Sequence, residues 1–159
     1  MPIAELPCLT FKMRLPVTKE TAQIYGMLYL QFKDQLQQSF RATSGIAGKQ
    51  YIATQFIKGV GSIPSSRIIA PQFYSVSTTS HSMSVAGHIG AAMFAIFPSQ
   101  VKIGTTGRGD FGIHEDLNVP GTIGCIGLPG EFQWVLFSNA MKKLREQRIS
   151  VVPLKVIYI

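Results

Sequence analysis

The sequence predicts a loop-rich β or α+β domain with a single C-terminal helix, and three observations carry that expectation. Charged residues make up only 14% of the 159 positions, against a usual share of about 25%. Gly 15 and Pro 9 are spread along the chain and cut it into short runs. One long stretch, residues 131–147, carries apolar residues at helical spacing. Together these features exclude a coiled coil, a disordered acidic tail and a charged helical bundle. The length suits one domain spanning 1–159, which can bury roughly 68–70% of its unfolded surface without a disulfide or metal.

Residues 1–20 read as an extended lead-in punctuated by Pro2, Pro7 and Pro16. Residues 26–32 and 36–43 flank the polar pair Lys33-Asp34 and predict a β-hairpin. A helix over 18–38 competes, since Ala22, Met27, Leu28 and Gln31 are good helix formers. Turn-rich loops at 43–48 and 58–64 bracket a strand-like segment at 50–57. Further strands are expected at 67–69, 73–76 and 91–97, and glycine punctuates 104–130. The helix over 131–147 starts at Glu131 and carries Lys142, Lys143 and Arg145 in its last turns, signs that complement the helix dipole. Its expected apolar stripe runs through Phe132, Val135, Leu136, Ala140 and Leu144. A closing strand over 149–159 contains Pro153, which points to an edge position or a bulge.

The formal net charge is +7. Nucleic acid, an anionic membrane or an anionic wall polymer are the partners such a balance suits, and a general solubility charge is the plain alternative. The only dense basic group, Lys142, Lys143, Arg145 and Arg148, is interrupted by Glu146, and no nucleic-acid motif accompanies it. Cys8 and Cys125 make no disulfide scaffold, although a single bridge between them stays open. Glu5, Lys12, Arg14, Lys19 and Glu20 break up any apolar signal segment. The most apolar run, 85–97, is too short to span a bilayer and contains His88. The expectation is a soluble protein without a transmembrane segment, brought to any extracytoplasmic site by something other than a signal peptide.

The segment 107–128 concentrates the chemistry. His114 ends a short apolar run, and Cys125 follows eleven residues later, directly after Gly124. A thiol attacks as its thiolate and needs a nearby base, for which an imidazole is the natural partner. The loop with Asn118, Pro120 and Gly121 is long enough to return the chain, so the two side chains can meet from adjacent strands. Gly124 lets substrate approach the backbone, and N–H groups at Gly124 and Cys125 can face the oxyanion of an attacked carbonyl. A buried cysteine beside an ordinary strand histidine is the competing interpretation. His81, His88, His114 and Cys125 lack zinc-ligand spacing. Asp110, Glu115 and Asp116 crowd one loop, as solvated turn residues do. A papain-like enzyme carries its cysteine ahead of its histidine, the reverse of the order here. The tripeptide Arg108-Gly-Asp110 is too short a match to carry meaning.

Ile113-His114, followed by Thr122-Ile123-Gly124-Cys125-Ile126, resembles the signature of the L,D-transpeptidase (YkuD-like) cysteine enzymes. Upstream and in the same order, Phe40-Arg-Ala-Thr-Ser-Gly45 resembles the family's strand ending in a Thr/Ser-Gly turn, and Gly59-Val-Gly-Ser-Ile-Pro64 its Gly/Pro segment. Arg108, Phe111 and Ile113-His114 are most similar to a small subgroup that includes interbacterial toxins. Where many members have a histidine before the glycine and an arginine two positions after the cysteine, this chain has Ile123 and Gly127. The resemblance implies a mostly β, sandwich or barrel-like fold with the helix packed on it, and no cofactor or metal. It implies peptidoglycan stem peptides as partners, with Cys125 attacking a diaminopimelate carbonyl and a thioester passing to an amine or to water. By position His114 is the base, Gly124 and Cys125 supply the oxyanion amides, and Thr122 and Arg108 are the substrate-binding residues, Thr122 also able to support the histidine or the backbone and Arg108 to meet a substrate carboxylate. A non-enzymatic wall-binding or virion module on the same fold is the alternative.

Overall fold

The computed structural model describes residues 6–32, 35–82, 92–117 and 121–159. The chain is mostly β, with a nearly closed, barrel-like sheet and a C-terminal helix. Ten strands are present among the described residues: β1 Cys8–Met13, β2 Gly26–Gln31, β3 Gln38–Ala42, β4 Tyr74–Ser82, β5 Ala92–Phe97, β6 Gln100–Ile103, β7 Thr106–Gly109, β8 Gly112–Asp116, β9 Ile126–Pro129 and β10 Val151–Tyr158. The helix α1, Glu131–Glu146, lies between the last two. Eight strands form one sheet in the order β3-β2-β1-β10-β4-β5-β8-β9, while β6 and β7 pair separately. An antiparallel bridge between Thr43 and Gly127 nearly joins the two edges. Thr43 N–H donates to the Gly127 carbonyl at 2.9 Å, and Gly127 N–H returns the bond at 2.8 Å.

Alternation explains why these strands share an inner face. Leu9, Phe11 and Met13 of β1 and Val152, Leu154 and Val156 of β10 are buried, while Thr10, Lys12 and Lys155 between them are not. The N-terminal lead-in therefore does more than the sequence suggested: between Pro7 and Pro16 it holds a strand paired on both sides. The hairpin expected at 26–43 is formed by β2 and β3 in antiparallel register, Leu28 opposite Phe40.

Several expectations are corrected. Residues 50–57 are not a strand but contain a 3-10 helix, Ile52–Phe56. The Thr54 hydroxyl bonds the Tyr51 carbonyl at 2.7 Å, a local bond that competes with a ladder. Residues 67–69 form a turn, after which Ala70 bridges to Lys102. β10 is an interior strand between β1 and β4. Pro153 is accommodated because the pairing with β1 begins one residue later, at Leu9 and Leu154. The helix stripe is rotated from the one expected. Phe137, Ala140, Met141 and Leu144 are buried, whereas Phe132, Val135 and Leu136 are exposed. The reason is aromatic packing: the Phe137 ring meets Phe40 at 5.3 Å and Phe94 at 5.4 Å, both edge-on.

Candidate active site

The strands β8 and β9 run parallel, with Ile113 opposite Ile126 and His114 opposite Gly127. Ile113, Ile126 and Leu128 are fully buried in the core, so His114 and Gly127 take the other face of the ladder. Cys125 stands in the bend that leads into β9, two residues before Gly127, the ladder partner of His114.

His114 is 1% exposed, and its Nδ1 lies 2.9 Å from the Glu115 carbonyl oxygen. A carbonyl only accepts, so Nδ1 carries the hydrogen and Nε2 keeps its lone pair. Nε2 is buried and has no hydrogen-bond partner among the described residues. Burial pushes the imidazole pKa down, with the Glu115 carbonyl and the Asp116 charge opposing. The ring is therefore held neutral, with Nε2 able to take a proton.

Cys125 is half-buried, and its thiol faces the Asp110 carbonyl at 4.0 Å rather than the imidazole. Asp110 adopts a left-handed conformation, φ 58°, which Asp tolerates better than most residues. Burial pushes the thiol up to about 11, against the lowering effect of the Gly112 backbone. Cys8 is exposed, and both cysteines are free, so the open possibility of a bridge between them is not realised.

The bend ahead of Cys125 is held from two sides. The Thr122 hydroxyl donates to the Cys125 carbonyl and accepts from Gly45 N–H at 3.2 Å. Thr122 N–H donates to the Gly45 carbonyl at 3.0 Å. Thr122 thus braces the turn through its hydroxyl and its N–H. The Thr43–Gly45 turn is itself anchored by Gln50, whose Nε2 bonds the Ser44 and Ile24 carbonyls, each at 2.9 Å. Gly124 has φ 123°, a conformation that side chains rarely adopt. A Cβ there would stand 2.9 Å from both the Arg108 Nη2 and the Phe111 ring.

Arg108 is placed differently from the expectation. It is 1% exposed, and its guanidinium bonds the carbonyls of Gln55 at 2.9 Å, Ser62 at 2.7 Å and Gly61 at 3.0 Å. Three of its five N–H donors go to the 55–62 loop and the side chain is buried, which turns it away from the role of meeting a substrate carboxylate. It buttresses that loop and the underside of Gly124. Burial lowers its pKa, with Tyr158 and Tyr74 opposing.

Asp116 was grouped with the turn carboxylates, yet it shares the face of His114 two residues along β8. Its Oδ2 accepts from Gly121 N–H at 2.9 Å, while Oδ1 is buried without a partner. Burial raises its pKa, against the Gly121 hydrogen bond and the neighbouring His114 imidazole. Strand alternation from His114 was the signal that could have found it. Gln23, whose Nε2 bonds Thr43 Oγ1 at 2.8 Å and the Gly45 carbonyl at 3.0 Å, had no such local signal.

Of the proposed zinc ligands, His88 lies outside the described residues. Among the described residues no three His, Cys, Asp or Glu side chains are grouped to hold a metal. Nor is any described helix long and apolar enough to cross a membrane. No family model matches the chain, and neither a curated protein nor a solved structure matches it.

Proposed function

We propose that this chain is a cysteine acyl-transfer enzyme of the L,D-transpeptidase kind, acting on peptidoglycan stem peptides. The observation that carries the reading is the state of His114. Its Nδ1 hydrogen is tied to the Glu115 carbonyl, which leaves a buried Nε2 lone pair without a partner on the strand residue opposite Gly127, two positions after Cys125. Such a nitrogen is a general base held ready for one proton.

The chemistry follows from that arrangement. As the thiol turns from the Asp110 carbonyl toward Nε2, its proton passes to the imidazole and the sulfur attacks the peptide carbonyl. The N–H groups of the Gly124–Cys125 bend stabilise the oxyanion. Collapse expels the terminal amino acid, whose nitrogen takes the proton back from Nε2, and a thioester remains on Cys125. An amine or water then resolves it. Gly127 fits this reading despite replacing an arginine common in the family. A Cβ there would stand 3.0 Å from both Asp116 Cβ and Thr122 Cγ2.

Purified protein incubated with disaccharide tetrapeptides tests the reading. The terminal D-alanine is released or exchanged, a covalent acyl adduct on Cys125 is seen by mass spectrometry, and both are lost in Cys125→Ala. Undiminished release by Cys125→Ala removes the hypothesis.

One observation favours the non-enzymatic alternative, a wall-binding module. The resting thiol is pushed up to about 11 and sits on a carbonyl rather than on the base. In that case the protein sediments with isolated sacculi, and no stem peptide acylates Cys125.

A further inference from the structure

The segment 50–57 carries its polarity inside out. Gln50, Thr54 and Gln55 are buried, at 1%, 0% and 5% exposure, while Ile52, Phe56 and Ile57 stand 42%, 45% and 44% exposed. Burial ordinarily runs the other way, so the inversion is the informative feature. Hydrogen bonds hold it in place. The Thr54 hydroxyl donates to the Tyr51 carbonyl at 2.7 Å. Gln55 Oε1 accepts from Ser65 N–H at 2.8 Å, its Nε2 donates to the Ile52 carbonyl at 3.2 Å, and its main-chain carbonyl accepts from Arg108 at 2.9 Å. Ile52 N–H donates to the Pro16 carbonyl at 2.9 Å. The polar side chains pin the turn to the body of the protein, and the apolar ones are held outward.

Charge says what covers them. Lys49 and Lys58 bracket the segment and are exposed, and Arg14–Glu20 is the one ion pair among the described residues. The sequence holds no Asp or Glu between Asp34 and Asp110, whereas Arg41, Lys49, Lys58, Arg67, Lys102 and Arg108 lie in that stretch. An apolar ridge flanked by cations suits the boundary of an anionic bilayer. Phe and Ile side chains enter the acyl region there, and lysine stems let the ammonium groups reach the phosphates. A second copy docking by the same patch would set these lysines against one another across a twofold axis, with no carboxylate in the segment to pair them.

We propose that the segment 49–58 is a docking surface for an anionic phospholipid bilayer. Such a contact lies on the membrane and needs no spanning helix. Arg108 links the docked turn to the bend ahead of Cys125. It bonds the Gln55 carbonyl, and its Nη2 lies 2.9 Å from a Cβ position on Gly124. The surface stands whether or not Cys125 forms a thioester.

The test is sedimentation of the full-length protein with sucrose-loaded vesicles. Vesicles of phosphatidylcholine and phosphatidylglycerol in equal parts carry the protein down, and vesicles of phosphatidylcholine alone leave most of it in solution. Replacing Phe56→Ser together with Ile57→Ser lowers the partition coefficient at least about tenfold. Lys49→Gln and Lys58→Gln each lower it about fivefold on the anionic vesicles. Should the serine variant fail to fold, the lysine variants and the contrast between the two vesicle types decide alone. No sedimentation with anionic vesicles, equal sedimentation with neutral ones, or undiminished binding by a folded variant overturns the proposal. So does a concentration-dependent dimer in place of vesicle binding, abolished by the serine variant, which would mark a second copy on this face.

Discussion

Replacing Arg108 by Met separates a structural guanidinium from a substrate-binding one. The side chain is 1% exposed and donates to three carbonyls, those of Gln55, Gly61 and Ser62. Hydrogen bonds to a charged group contribute about 1.5–3 kcal/mol each, and a buried acceptor left dry costs about 1–3 kcal/mol. Against this stands relief from burying a charge, several kcal/mol in itself, since Arg14–Glu20 is the one ion pair among the described residues. Met fills the apolar length of the cavity beside Phe111 but offers no hydrogen. The net expectation is a loss of about 3 kcal/mol, a urea midpoint lower by about 1–2 M at a slope of about 2 kcal/mol per molar. Equilibrium unfolding followed by the fluorescence of Trp134 measures it, and the variant that remains folded binds its substrate unchanged. A midpoint moved by less than about 0.3 M, with a raised KM for tetrapeptide, would refute the reasoning and return Arg108 to the substrate site.

Gly124→Ala forces φ 123° on a residue with a side chain and drives its Cβ to 2.9 Å from Arg108 Nη2. It costs about 2–4 kcal/mol in the same unfolding assay, and a change within about 0.5 kcal/mol contradicts the close approach described for the bend. Thr122→Val strands the Cys125 carbonyl and Gly45 N–H and lowers stability by about 1–2 kcal/mol, while Thr122→Ser keeps most of it. A thiol at about 11 is only about 0.1% ionised at pH 8, so iodoacetamide labels exposed Cys8 ahead of Cys125 in the free protein. Labelling of Cys125 then climbs about tenfold per pH unit between pH 8 and 10. Peptide mapping of the alkylated chain reads this, and faster labelling of Cys125 at pH 7 without peptide would mean a preformed ion pair with His114.

The legible parts of this protein are those governed by local rules. Two β-type runs around a polar pair predicted the hairpin of β2 and β3, and strands expected at 73–76 and 91–97 fall on β4 and β5. Charge at its two ends located α1 to within a residue of its observed limits. The strand β1 was hidden by the prolines on either side, although Leu9, Phe11 and Met13 alternate cleanly. The 3-10 turn at 52–56 was misread because its polar side chains satisfy their own backbone, and no apolar pattern records that. For the site, the order of residues offered His114 and Cys125 as candidates, while the structure sets the thiol against the Asp110 carbonyl. The meaning of Arg108 was not, because a guanidinium looks the same in sequence whether carbonyls or a substrate await it.

What the chain's residues determine alone is the alphabet of the fold: short alternating runs, glycine breaks and one amphipathic helix, which together demand a mostly β domain. Only the tertiary structure decides that Thr43 meets Gly127 across the closing seam, that Asp116 stands beside His114, and that Gln23 reaches Thr43 and Gly45 next to that seam. The physical reason is that strand pairing brings together residues far apart along the chain. Which donors meet which acceptors there depends on ladder register, and register is set by the core as a whole.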